Sequence, residues 1–85
     1  MTTQTKFKTV DRQLTRFGLI GLTKLLFQSG VTKTASEARR LIEQRAVKLN
    51  GQTIDQPDAE VVMTNGLGVI VGRQHYTLYY KGLDE

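Results

Sequence analysis

Lys33, Arg39, Arg40, Arg45 and Lys48 place five cations within sixteen positions, with Ser36 among them and Asn50-Gly51 just beyond. Lys and Arg at this density suit one kind of chemistry, the holding of phosphate groups. Arg grips a phosphate through two parallel hydrogen bonds, and Lys acts as a point charge. Neutralising phosphates releases counterions, so such a surface binds nucleic acid with a strong dependence on salt. Other chemistries find little support. The carboxylates show no paired acid/base spacing, and His75 is the only histidine, with no cysteine anywhere to share a metal. Gly66-Leu67-Gly68 is too short to cradle a phosphate and lacks a strand-to-helix context. No catalytic residue, metal ligand or cofactor is assigned, and the chain is read as a binding module rather than an enzyme.

The cations need a scaffold, and residues 34–51 supply one. Thr34 is a helix cap, and Glu37 is spaced to reach back to the Thr34 N–H in a capping box. Ala38, Leu41 and Ile42 recur at i, i+3 and i+4, which marks one apolar helical face. Positions 36, 40 and 44 then form an outward stripe, with Arg39 flanking it. Arg39 is also spaced to pair with Glu43 at i+4, a bland surface role. After the helix the period changes to two. Val47 and Leu49 face one way and Lys48 the other, and Asn50-Gly51 is a strong two-residue hairpin signal.

The rest of the chain is read around this unit. Eighty-five residues make one small domain. Residues 1–51 hold ten of the twelve basic residues and three of the eight acidic ones, so the positive charge is concentrated in the first half. That is the footprint of a nucleic-acid binder. Residues 1–6 read as a frayed tail. Phe7, Val10, Leu14 and Phe17 have helical spacing, which predicts a short helix over 10–17, capped at Thr9, with Phe7 and Phe17 packed on the core. In that helix Arg12 and Arg16 are adjacent. A second helix is expected from Leu19 to Ser29, stopped by Gly30, with Lys24 and Phe27 outward. Residues 55–58 read as a loop around Pro57. Val61–Met63, Val69–Val71 and Tyr76–Tyr80 read as strands, with 64–66 a turn and 72–75 a loop that contains His75. Tyr76, Leu78 and Tyr80 share the core face of the last strand, and Tyr79 is the ring expected outside. The fold class is α+β: a two- or three-helix N-terminal half, then a small, mostly antiparallel sheet.

Ser36-Glu37-Ala38-Arg39-Arg40-Leu41-Ile42 and Val47-Lys48-Leu49-Asn50-Gly51 resemble the S4 RNA-binding domain. The resemblance implies an αL motif, in which a helix pair and the following strand and turn form the RNA contact surface. Residues 69–78 look like the last hairpin of the C-terminal domain of the bacterial tyrosyl-tRNA synthetases, and 36–42 are close to that family's helix. Two departures stand out. Thr34-Ala35 occupies the place of a Ser-Arg or Ser-Lys pair in many members, with Lys33 as the nearest substitute. The Arg-Leu-Asp that opens the first helix in ribosomal relatives is absent.

The expected organisation is an N-terminal arm over 1–18 and an S4-like domain over 19–82. The expected RNA-binding residues are Lys33, Ser36, Arg39, Arg40, Arg45, Lys48, Asn50 and Gly51. The expected partner is RNA, with tRNA favoured and ribosomal RNA the alternative. A catalytic synthetase domain is a further partner if the chain is a fragment. The alternative is a free-standing protein acting on ribosomal RNA or ribosome-bound tRNA. A protein-interaction module and a helix-turn-helix DNA binder rank lower, because Thr34, Ala35 and Ser36 are too short to read base edges. No apolar run approaches the ~20 residues that span a bilayer. No secretory leader is read at the N-terminus. A cytoplasmic, soluble protein with no membrane partner is expected.

Overall fold

A computed structural model describes residues 5–81. Its core is one apolar layer between two helices and one face of a sheet. Helix α1 spans Leu22–Gln28 and helix α2 spans Ala35–Glu43. Leu22, Leu25 and Leu26 of α1 and Ala38 and Ile42 of α2 are fully buried, and Leu41 is half-buried at the margin. These side chains meet Val47, Leu49, Leu67, Val69 and Leu78 from the sheet.

The main sheet has five strands in the order β1-β7-β6-β3-β4. They are β1 (Thr5–Val10), β3 (Val47–Leu49), β4 (Gln52–Thr53), β6 (Leu67–Val71) and β7 (Gln74–Tyr80). All neighbours are antiparallel except β1, which runs parallel to β7 with Thr5 beside His75 and Val10 beside Tyr80. A second, two-stranded sheet pairs β2 (Leu19–Gly21) with β5 (Glu60–Val62). Three two-residue turns fix the hairpins. Asn50-Gly51 and Phe17-Gly18 both have positive φ throughout, the primed turn that matches strand twist, and Gly72 alone is positive in Gly72-Arg73.

The α+β class and α2 agree with the sequence reading, and four local readings are corrected. Residues 10–17 are not a helix. Residues 5–10 form strand β1, and only Arg12–Leu14 make a single 3-10 turn, capped by Asp11. The spacing of three, four and three is matched by a strand, a turn and a hairpin tip instead. Phe7 and Phe17 therefore lie outside, 67% and 96% exposed, and only Val10 is buried. Arg12 stacks over the Tyr80 ring, 4.8 Å from its centroid, rather than beside Arg16. The second correction is that Leu19–Gly21 are strand, so α1 begins at Leu22, while Gly30 ends it in the left-handed region as expected. Third, His75 lies within β7 opposite Ile70, because the β6–β7 turn takes only two residues. Finally, Thr34 caps α2 through Glu37 N–H, but the Glu37 carboxylate accepts from the Lys33 N–H at 3.0 Å, one residue earlier than a capping box requires. The tail expected over 1–6 enters the sheet at Thr5; residues 1–4 and 82–85 lie outside the described residues.

The strand and helix readings of the N-terminal segment differ in which side chains carry stability. Val10→Ala should destabilise the fold by about 1–3 kcal/mol in urea unfolding. Phe7→Ala should change it by about 1 kcal/mol or less, because its ring is mostly in water. Equal losses from the two would contradict the strand.

Candidate nucleic-acid interface

Helix α2 turns its two edges to different surroundings. Ala38 and Ile42 anchor it to the core, so Ser36 and Arg40, about half a turn away, point to solvent. On one edge Arg40 shares an open groove with Lys33, Thr34, Glu37, Leu41 and Gln44. On the other edge Arg39 meets the loop that follows β4, with Nη1 3.9 Å from Asp58 Oδ1. The expected i,i+4 partner Glu43 is not the one found. The same loop reaches the end of the helix, where Arg45 Nε lies 3.5 Å from Asp55 Oδ2.

The helix ends in a specific hydrogen-bonded cap. Arg45 N–H donates to the Ile42 carbonyl at 2.9 Å and Ala46 N–H to the Leu41 carbonyl at 3.0 Å. This is the Schellman pattern, and the residue at its left-handed position is usually glycine. Here it is Arg45, at φ +63°. A non-glycine residue in that region costs about 1–2 kcal/mol. The arginine side chain is thus displayed at the helix-to-strand junction despite a backbone that favours glycine.

Beyond the junction, Lys48 projects from β3 on the side of the sheet opposite Val47 and Leu49. Asn50 and Gly51 form the next turn. The Asn50 Oδ1 accepts from Gly68 N–H at 3.2 Å, and the Asn50 N–H donates to the Gly68 carbonyl at 2.9 Å, which ties the turn to β6.

All eight expected contact residues are exposed. They form three neighbouring groups. Lys33 and Arg40 share the groove, with Ser36 on the outward side of the helix. Arg39 and Arg45 face the acidic loop. Lys48, Asn50 and Gly51 belong to the sheet and its turn. The placement of Asp55 and Asp58 beside the two arginines has no signal in the sequence. Residues 55–58 read as a loop, but nothing local shows where a loop lies against a helix. Among the described residues, no group of three or more His, Cys, Asp or Glu side chains is placed to hold a metal ion, and no helix is long and apolar enough to cross a membrane.

Comparison with known proteins gives this arrangement a context. The family described as the S4 domain matches residues 20–63. Tyrosine–tRNA ligase of Moorella thermoacetica is 39% identical over 57 residues, which cover 67% of this chain and 14% of that protein. The ligase of a Synechococcus strain is 35% identical over 68 residues, covering 76% of this chain and 16% of that protein. The ligase of Aquifex aeolicus is 33% identical over 57 residues, covering 67% and 14%. The chain thus spans 14–16% of the length of these curated relatives.

Asp58 beside Arg39 and Asp55 beside Arg45 would compete with any incoming anion for these two arginines. Both ion pairs are exposed and each is worth about 1 kcal/mol or less. Asp55→Asn combined with Asp58→Asn should therefore leave folding almost unchanged and raise affinity for a phosphate polyanion about two- to tenfold at moderate salt. Filter binding checks this, and an unchanged affinity would show that the carboxylates do not compete for the arginines.

Proposed function

The chain belongs to the S4 domain family, a non-catalytic module, and on that premise we propose that it grips structured RNA, tRNA in the first place, as the RNA-binding part of a tyrosyl-tRNA synthetase. The observation that carries this reading is Arg45. An arginine occupies a left-handed helix end where glycine is the relaxed choice, and it stands between the cations of α2 and Lys48 of β3. Backbone strain of this kind clusters at functional sites, which supports a role for the Arg45 side chain. Lys33, Arg39 and Arg40 extend the positive surface along the helix, and Lys48 extends it onto the sheet. Ser36 and the backbone N–H of Gly51 add neutral donors suited to phosphate oxygens, while the Asn50 N–H is taken by the Gly68 carbonyl.

The choice of tRNA rests on the relatives, which are tyrosine–tRNA ligases. Duplex DNA suits the surface less well. A recognition helix reads bases with the side chains of its first turn, and Ala35 and Ser36 are too short to do so.

Filter binding against tRNA, ribosomal RNA fragments and duplex DNA over a salt series tests the proposal. Log affinity should fall linearly with log salt, and Arg40→Gln and Arg45→Gln should each reduce the slope by about one. If the double variant keeps the parent's affinity and slope, the surface is wrongly assigned. A preference for ribosomal RNA over tRNA would favour the free-standing alternative, and a preference for duplex DNA would defeat the RNA reading. Arg45→Gly separates strain from function. It should raise stability in urea by up to about 1 kcal/mol while weakening RNA binding.

A further inference from the structure

Both helices pack on one side of the main sheet, and among the described residues no element covers the other side. The strand registers show what that open side carries. Lys48, Ile70, His75 and Thr5 form one cross-strand row, Gly68, Thr77 and Phe7 the next, and Tyr79 and Thr9 the last. None of these side chains is acidic. Gly68 leaves a gap in the middle of this surface, a hollow of about 190 Å³ bordered by Asn50, Ile70, His75, Thr77 and Thr5. A Cβ at Gly68 would sit 3.3 Å from Asn50 Oδ1, so the glycine also makes room for the Asn50 side chain. Because Asn50 Oδ1 accepts from Gly68 N–H, the Nδ2 end of the same amide remains a donor at the rim. Beyond Thr77, Phe7 and Tyr79 lie 5.9 Å apart with their rings tilted by 38°, and both are exposed.

We propose that this open sheet face is a second RNA contact surface that takes an unpaired nucleotide, its base over Gly68 and against the Phe7–Tyr79 pair. The inference rests on the RNA reading above and adds a substrate feature to it: an unstacked base next to the gripped phosphates. Three observations favour RNA over another protein or a second copy of the chain. The face is continuous with the phosphate-binding surface through Lys48, Asn50 and Gly51. It carries a cation and no carboxylate. Its hollow has room for one planar base and is ringed by hydroxyl, imidazole and amide groups, which match the polar edges of a base. Single-stranded bases bind proteins by stacking on such rings while neighbouring cations hold the backbone.

The experiment compares two RNAs with equal numbers of phosphates, a blunt duplex and a stem with a short single-stranded overhang that contains a fluorescent adenine analogue. The chain should bind the overhang RNA more tightly and change the analogue's fluorescence on binding. Phe7→Ala combined with Tyr79→Ala should lose about five- to thirtyfold in affinity for the overhang RNA, with no change of salt slope and no loss on the duplex. Gly68→Val fills the hollow and leaves both rings, and should likewise weaken binding of the overhang RNA and lower the fluorescence response, with thermal melting confirming that each variant folds. Equal binding of both RNAs by the parent chain, or a full fluorescence response in both variants, would overturn the proposal while leaving phosphate gripping intact. Sedimentation showing that the ring variant only disrupts self-association would overturn it in favour of a second copy. Failure of the parent chain to bind either RNA would remove the RNA reading itself.

Discussion

A chain this short forms one apolar layer, and that limit sets the rest of the architecture. Leu25, Leu26, Ala38 and Ile42 on the helices and Val47, Val69 and Leu78 on the sheet are fully or almost fully buried in a single cluster. Small domains bury a limited share of their surface, and among the described residues none forms a second layer on the far side of the sheet. The helices are therefore confined to one side. Their outer surface becomes a platform for charge, and among the described residues nothing covers the back of the sheet. The buried pair Ala38 and Ile42 fixes the rotation of α2, and that rotation alone sends Arg39 toward the acidic loop and Arg40 into the open groove.

Left-handed residues do the second part of the positioning. Gly30 ends α1, Arg45 ends α2, and Asn50-Gly51 turns β3 back into β4. Between the second and third of these the chain changes from helix to strand to turn in six residues. Side chains on three different elements are brought close without any long loop. Two exposed arginine–carboxylate pairs contribute little to stability, and their bearing is on the charge that an incoming ligand meets.

Local patterns were legible in the sequence, and non-local ones were not. The second helix, its Thr34 cap, the Gly30 stop and the Asn50-Gly51 turn are all set by residues within a few positions of one another. The basic residues could be named for the same reason. Strand β1 leaves no local trace because its partner, β7, lies about seventy residues away along the chain, and a parallel edge strand has no hairpin signal. Phe7, Val10, Leu14 and Phe17 then matched a helical period by coincidence. Phe17 adds a further trap. It occupies a primed turn, at φ +55°, where Asn or Asp is the usual residue, so nothing in its type announces the turn. The partners of Arg39 and Arg45 were hidden for a related reason. The position of Asp55 and Asp58 depends on where the chain runs after β4, which the pairing of β5 with β2 helps to set.

The parallel pairing of β1 and β7 also has a mechanical meaning. The two strands lie near opposite ends of the described chain and run in the same direction, with Thr5 beside His75 and Val10 beside Tyr80. Tension between the chain's ends would pull β1 from its Thr5 end and β7 from its Tyr80 end. The strands would be loaded in shear, so their hydrogen bonds would share the force and break together instead of unzipping one by one. A domain joined in this way resists tension between its two ends before its core opens.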